Sequence, residues 1–377
     1  MDAFVSAARH GDQATAAALV SSRDNAFAGR AATWAGNLDR VAWSTLTWTV
    51  QPAQRELTDG RRQALGLDSQ ASDAWVQEIA ITWAYADEPR VAEEDVWLTF
   101  VTESSSTGGA ATTLAGDTDD PTDISPTPLW LQQPVWLRRS GSVVVVTASA
   151  AASNWVSEAR QAQQAVAQRV GIADRDRGGV LVVEVPQSRA LFERTLGVSP
   201  GSYATVAAAA WPIGPDTSRA PIHVVVNPEA ASQLSDLGRQ VLLTHEAVHV
   251  AVRSPGSPAP TWLVEGYADQ IAYDALPAGS TPALRSVEQA VRAYGAPRRW
   301  PPDADFAPDA KDLDLAYDLA WTATHSIAHG SGAGALNRFY AEVNAGKSVD
   351  AAAKGIGSSE SALRKRWVAD LNRAARR

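Results

Sequence analysis

The sequence predicts an α+β protein with two domains. Its 377 residues suffice for two or three domains of ordinary size. Segments with a two-residue hydrophobic period predominate before residue 150, and segments with a helical period predominate after it. Because strands and helices are grouped rather than alternating, this is an α+β order. We therefore expect an accessory α+β domain at 1–150 and a second domain at 151–377.

The first domain is predicted to begin with two helices, around 4–19 and over 25–34. Strands should follow, because the next segments alternate or are rich in β-branched and aromatic residues. The expected strands are 41–50, 75–86, 96–102, 129–138 and 142–147. This order predicts a curved antiparallel sheet folded over the helices, and it resembles the nuclear-transport-factor-like cone fold. The stretch 104–128, rich in Ser, Thr, Gly, Asp and Pro, is predicted to be a loop.

The second domain is predicted to be a short sheet followed by helices. Its strands are expected at 180–185, 203–211 and 222–226. Its helices are expected at 154–170, 189–196, 232–252, 260–275, 282–294, 313–330, 336–344 and 360–375. The small-residue stretch ASAAAS at 148–153 is the predicted boundary between the domains.

Composition limits the chemistry. The formal net charge is −9, so no broad basic field is expected to bind nucleic acid. The chain has no Cys and six His, so a metal site must be built from imidazoles and carboxylates. No run of 18 apolar residues occurs, so we expect no membrane span in this chain.

The strongest motif is HEAVH at 245–249, an H-E-x-x-H pattern. Apolar residues around it recur every three or four positions, which predicts an amphipathic helix. On a helix, His245 and His249 lie one turn apart and both can bind one Zn²⁺, while Glu246 can lean over a metal-bound water. The alternative is a polar patch on a surface helix, which the apolar flanks of the motif disfavour.

A catalytic zinc takes three protein ligands, so a third is needed. Glu265 is the candidate, in the apolar stretch TWLVEGYAD that begins at Thr261. The Pro-, Gly- and Ser-rich segment 254–260 lets the chain turn back, which can bring Glu265 opposite the histidine pair. The alternative is a solvated helical glutamate.

Taken together, HEAVH followed by PTWLVEGYA resembles the gluzincin metallopeptidases, and specifically the peptidase-MA-like domains among them. The resemblance covers about 180–371 and implies a zincin domain whose small sheet precedes a helical subdomain. It implies that His245, His249 and Glu265 bind zinc and that Glu246 is the general base.

Two further residues follow from the same resemblance, and a third, His325, follows from its spacing in the sequence. Asp269, one helical turn after Glu265, is similar to the carboxylate that receives the N–H of a zinc-bound histidine, although it could also face water. Tyr317 resembles the tyrosine that stabilises the oxyanion, and the alternative is a core tyrosine. His325 pairs with His329 one turn away and could reach the site as a hydrogen-bond donor, or it could be structural.

The implied reaction is hydrolysis of a peptide or protein substrate. Zinc would activate water while Glu246 moves its proton to the leaving amine. The predicted strand 203–211 is the counterpart of the edge strand along which gluzincins bind substrate. It lacks the glutamate that holds the substrate amine in the aminopeptidase branch, so we expect an endopeptidase rather than an aminopeptidase.

The alternative is a catalytically silent zincin-fold binding or scaffold protein that uses its N-terminal domain for a ligand or partner. The complete set of motif residues favours the enzyme. Domains of this kind often lie outside the cytoplasm behind an N-terminal anchor, so the resemblance implies an extracytoplasmic protein whose anchor precedes this chain.

Overall fold

The computed structural model describes residues 1–67, 73–104, 109–120, 124–150, 153–171, 179–277, 284–307 and 310–376. Within these ranges the chain forms fifteen α-helices and two β-sheets, which confirms the α+β class. No helix in the described ranges is long and apolar enough to cross a membrane.

The first part of the chain supplies five helices, the four strands of one sheet and a short hairpin. Its elements are α1 (Asp2–Arg9), α2 (Gln13–Ala18), α3 (Asn25–Arg40), β1 (Trp43–Glu56), α4 (Asp59–Ala64), β2 (Ala74–Tyr85), β3 (Ala92–Ser104), β4 (Ala110–Gly116), α5 (Leu129–Gln132), β5 (Trp136–Ser140) and β6 (Val143–Thr147).

The remainder is mostly helical. Its elements are α6 (Ser153–Arg169), β7 (Leu181–Val185), α7 (Arg189–Leu196), β8 (Ala208–Pro212), β9 (Ile222–Val226), α8 (Pro228–Ala231), α9 (Asp236–Val252), α10 (Thr261–Asp274), α11 (Arg285–Tyr294), a 3₁₀ turn (Asp303–Phe306), α12 (Leu313–Ser331), α13 (Ala333–Asn344), α14 (Val349–Gly355) and α15 (Glu360–Ala374).

The two sheets differ in topology. The first is antiparallel, in the order β1-β2-β3-β4. The second is mixed, in the order β5-β6-β7-β9-β8, with parallel central strands and antiparallel strands at both edges. Every residue of β6, β7 and β9 is buried, as expected for parallel strands covered on both faces. Strand β8 is the last strand in this order, so it lies at a sheet edge.

The prediction that five early strands share one sheet is wrong. Strands β5 and β6 pair in the second sheet, because the uninterrupted valine run of β6 suits a centre buried on both faces. The predicted strand 129–138 begins instead with the buried helix α5. The predicted loop 104–128 contains β4, whose small residues give little periodicity but pair with β3. The division of the chain at residue 150 stays a prediction.

Several other boundaries differ from the predicted ones: α3 and β1 extend further at their ends, and β3 and α13 start earlier. The first predicted helix is two helices, since the chain turns at Gly11 with a φ of 72°. The expected strand 203–211 starts only at Ala208. The predicted helix 232–252 starts later, because the Ser235 hydroxyl caps α9 by accepting the Gly238 N–H at 3.1 Å.

A group of buried charges joins the two sheets. His223 on β9 places Nε2 2.7 Å from Glu88 Oε1 and Nδ1 3.0 Å from Glu184 Oε1. The Tyr85 hydroxyl donates to the same Glu184 oxygen at 3.2 Å. Burial alone would lower the pKa of His223, but the two carboxylates raise it to about 10. Burial, helped by Glu184, raises the pKa of nearby Glu94 to about 8.

We expect Glu94→Gln to remove part of the pH dependence of stability. The pKa of Glu94 rises on folding from 4.5 to about 8, so the folded state binds the extra proton between these values. The free energy of unfolding should therefore fall as pH rises through this window, by at most about 1.4 kcal/mol per pH unit. Glutamine keeps the shape without titrating. Urea unfolding between about pH 5 and pH 8 measures the slope.

The matched control is Glu93→Gln, which changes the exposed neighbouring residue on β3. This variant should keep the slope of the wild type. Equal slopes for wild type and Glu94→Gln would contradict the assignment.

Candidate metal centre

Helix α9 places the H-E-x-x-H residues in the protein interior. His245, Glu246 and His249 are 9%, 6% and 8% exposed. The helix packs between the second sheet and α10, so both neighbours supply groups to the same face. Buried polar side chains need hydrogen-bond partners, and each of these three side chains has one.

The predicted ligands converge. His245 Nε2 lies 2.9 Å from His249 Nε2 and 3.1 Å from Glu265 Oε2, and His249 Nε2 lies 3.4 Å from the same oxygen. Glu265 reaches the pair from α10, which crosses α9 after the turn at 254–260. These three residues form a group whose ligand atoms all lie within 4.8 Å of one another.

The geometry of these donors fits a tetrahedral metal. Zinc bonds to imidazole nitrogen and carboxylate oxygen are about 2.0–2.2 Å, so ligand atoms at tetrahedral angles are about 3.3 Å apart. The observed edges of 2.9, 3.1 and 3.4 Å bracket this value. Two imidazoles and one carboxylate are also a donor set that zinc commonly takes in catalytic sites.

Asp269 contacts His245. It lies one turn beyond Glu265 on α10, and its Oδ1 is 2.8 Å from His245 Nδ1. Burial alone would lower the pKa of His245, but Asp269 and Glu265 raise it well above its ordinary value. Burial would raise the pKa of Glu265, but His249 and His245 hold it well below its usual range. The carboxylates of Asp269 and Glu265 thus both lie against the imidazole of His245.

Glu246 is held by the edge strand. Its Oε2 accepts the backbone N–H of Ala210 on β8 at 2.7 Å. Burial raises the pKa of Glu246, opposed by the neighbouring His245 and His249. The carboxylate is therefore fixed beside the ligand group rather than free in solvent.

Tyr317 also lies at the group. Its ring centroid is 6.4 Å from that of His245, and Phe306 packs against its edge at 5.5 Å. Burial, then the charges of Glu265 and Glu246, raise the pKa of the Tyr317 phenol well above its ordinary value. The hydroxyl therefore stays protonated and can donate a hydrogen bond.

His325 lies elsewhere on α12. It is about two helical turns from Tyr317, its Nδ1 is 3.2 Å from Gln270 Oε1, and its ring is 5.5 Å from Trp321. Its side chain is exposed at this position. A role for His325 at the metal centre stays a prediction.

Two groups at the site were not predicted. Ser254 Oγ lies 2.6 Å from His249 Nδ1, and the Ala210 N–H holds Glu246. A serine five positions after the second histidine has no fixed spacing signal. The Ala210 contact is made by the backbone, so no side-chain pattern could reveal it.

Neither a protein-family model nor a curated protein sequence matches this chain.

Proposed function

We propose that this chain is a zinc-dependent peptidase of the gluzincin class. One observation carries the proposal. Two imidazole nitrogens and one carboxylate oxygen converge at tetrahedral spacing, and a second buried carboxylate, Glu246, is fixed beside them. A purely structural histidine pair would not need an additional buried glutamate tied to a sheet edge.

The protein groups have separate roles in this proposal. When bound, zinc would act as a Lewis acid toward the scissile carbonyl and activate water. Glu246 would accept the proton of the attacking water and transfer it to the leaving amine. The Tyr317 hydroxyl, kept protonated by its surroundings, would donate to the developing oxyanion.

Edge strand β8 supports a peptide as substrate. It lies at the end of the second sheet. The Ala207 carbonyl accepts the Asn227 N–H, whereas the Ala210 N–H points away from β9 toward Glu246, so the backbone groups of Ala208 and the Ala210 carbonyl lie on the free edge. An extended chain can add to such an edge through backbone hydrogen bonds. The strand AAAWP carries no acidic side chain to hold a substrate amine, which favours an endopeptidase.

We also propose finer features of the fold. Strands β7 to β9 and helices α6 to α15 would be the zincin domain, and α1 to α3 with the first sheet would correspond to the nuclear-transport-factor-like cone. The order of helices and strands supports this correspondence.

Removal and return of the metal test the function. We expect about one zinc per purified chain by elemental analysis, and cleavage of an unfolded protein such as casein. Dialysis against a chelator should abolish cleavage, and stoichiometric Zn²⁺ should restore it, whereas Mg²⁺ should not, because it prefers oxygen ligands.

Two results would contradict the proposal. A chain that binds no zinc would refute the metal site. A zinc-bound chain that cleaves no member of a broad peptide library would instead favour the binding or scaffold protein.

A further inference from the structure

Ser254 occupies a buried position against the second histidine. It is 7% exposed and lies two residues beyond the end of α9. Its hydroxyl is 2.6 Å from His249 Nδ1, the ring nitrogen that points away from the ligand group. The opposite nitrogen, Nε2, points toward His245 and Glu265.

The geometry determines which tautomer of His249 suits metal binding. A neutral imidazole carries one N–H, and the other nitrogen has the free lone pair. For Nε2 to bind a metal, the proton must be on Nδ1, where the Ser254 oxygen can accept it. The two histidines are thus oriented by different groups. In this tautomer His245 donates to the carboxylate of Asp269, and His249 donates to the neutral hydroxyl of Ser254.

The turn that follows α9 fixes the position of Ser254. Arg253 adopts a left-handed backbone conformation with φ 50°, which is unusual for a residue other than glycine. Its guanidinium donates to the carbonyl oxygens of Ala220 at 2.8 Å and of Thr217 and Ser218 at 3.1 Å. These bonds tie the turn to the loop before β9 and offset the backbone strain.

Backbone hydrogen bonds complete the turn. The Ser254 N–H donates to the His249 carbonyl at 3.1 Å, and the Ser254 carbonyl accepts the Ser257 N–H at 2.8 Å. The backbone N–H and carbonyl of Ser254 are therefore both hydrogen-bonded, which fixes the direction of its side chain.

We propose that Ser254 is a positioning residue that sets the tautomer and ring orientation of His249 for metal binding. The left-handed turn at Arg253 places the Ser254 hydroxyl against the His249 ring. The proposal rests on the proposed zinc site. Removing one hydrogen-bond partner of a metal-binding histidine typically lowers metal affinity 10- to 100-fold.

The test measures zinc affinity rather than activity. Apo protein is titrated with Zn²⁺ against a chromophoric chelator. We expect Ser254→Ala to bind zinc about 10- to 100-fold more weakly than wild type, and Ser254→Thr, which keeps the hydroxyl, to recover most of the loss. The visible absorption bands of the Co²⁺-loaded protein should shift in Ser254→Ala, because the orientation of one ligand changes.

The matched control is Ser257→Ala, which removes a hydroxyl from the same turn. Ser257 Oγ contacts Asn344 and the Ala259 N–H rather than a histidine. This variant should keep wild-type zinc affinity and the wild-type Co²⁺ spectrum. Thermal unfolding of the apo forms verifies that each variant folds.

The outcomes separate the two proposals. Zinc binding by the wild type together with unchanged affinity and spectrum in Ser254→Ala would overturn the role of Ser254 alone. Failure of Ser254→Thr to recover affinity, with the fold intact, would also overturn it. Absence of zinc binding in the wild type would overturn the proposed function and this role with it.

Discussion

Glu246→Gln is expected to abolish peptide cleavage while leaving zinc bound. General-base catalysis typically contributes 10²- to 10⁴-fold to rate, so we expect a loss of about that size. Glutamine has nearly the same shape, and its amide oxygen can still accept the Ala210 N–H that holds Glu246 at 2.7 Å. It cannot take a proton from water. Casein cleavage measures the rate, and elemental analysis measures the zinc content.

Glu229→Gln is the matched control. Glu229 is exposed on α8 and lies outside the ligand group, so the variant should retain both zinc and activity. If Glu246→Gln kept cleavage within a few-fold of wild type, Glu246 would not be the general base. If it lost zinc as well, the carboxylate would be needed for the metal site itself.

Most of the longer helices in the second part of the chain are predictable from the sequence, whereas the short helices α8 and α14 are not. The predicted span 189–196 coincides with α7, and 313–330 differs from α12 by one residue at its end. Both are amphipathic, and local periodicity reports helices well because their hydrogen bonds close within the segment.

The sheets were less predictable. Strand β6 reads as five buried residues, but nothing in VVVVT indicates whether its neighbour is β4 or β7. That choice depends on contacts between residues far apart in sequence. The sequence of helix α5 predicts a strand, because its apolar residues are also common in strands and three of them are buried.

The site residues show the same difference between features set by local spacing and features set by the three-dimensional fold. The two histidines and Glu246 share one helix, so their spacing alone predicts that His245 and His249 lie together. Asp269 follows Glu265 by one turn of α10 and could be found in the same way. Ser254 depends on the left-handed backbone at Arg253, and a positive φ at an arginine has no sequence signal.

His249→Ala is expected to remove the metal. It deletes one of three converging donors and leaves only His245 Nε2 and Glu265 Oε2, which lie 3.1 Å apart. Two ligands bind zinc far more weakly than three, so zinc per chain should fall from about one to near zero, with loss of cleavage. Elemental analysis of the purified variant measures the content.

Thermal unfolding gives a second measure of His249→Ala that does not depend on activity. A ligand that binds only the folded chain stabilises it by about 4 kcal/mol at a thousand times its Kd, so excess Zn²⁺ should raise the unfolding temperature of the wild type. The variant should show no such rise. The matched control, His329→Ala, changes an exposed histidine on α12 and should respond like the wild type. An unchanged zinc response in His249→Ala would place the metal elsewhere, because the convergence of the three donors would then have no role in binding.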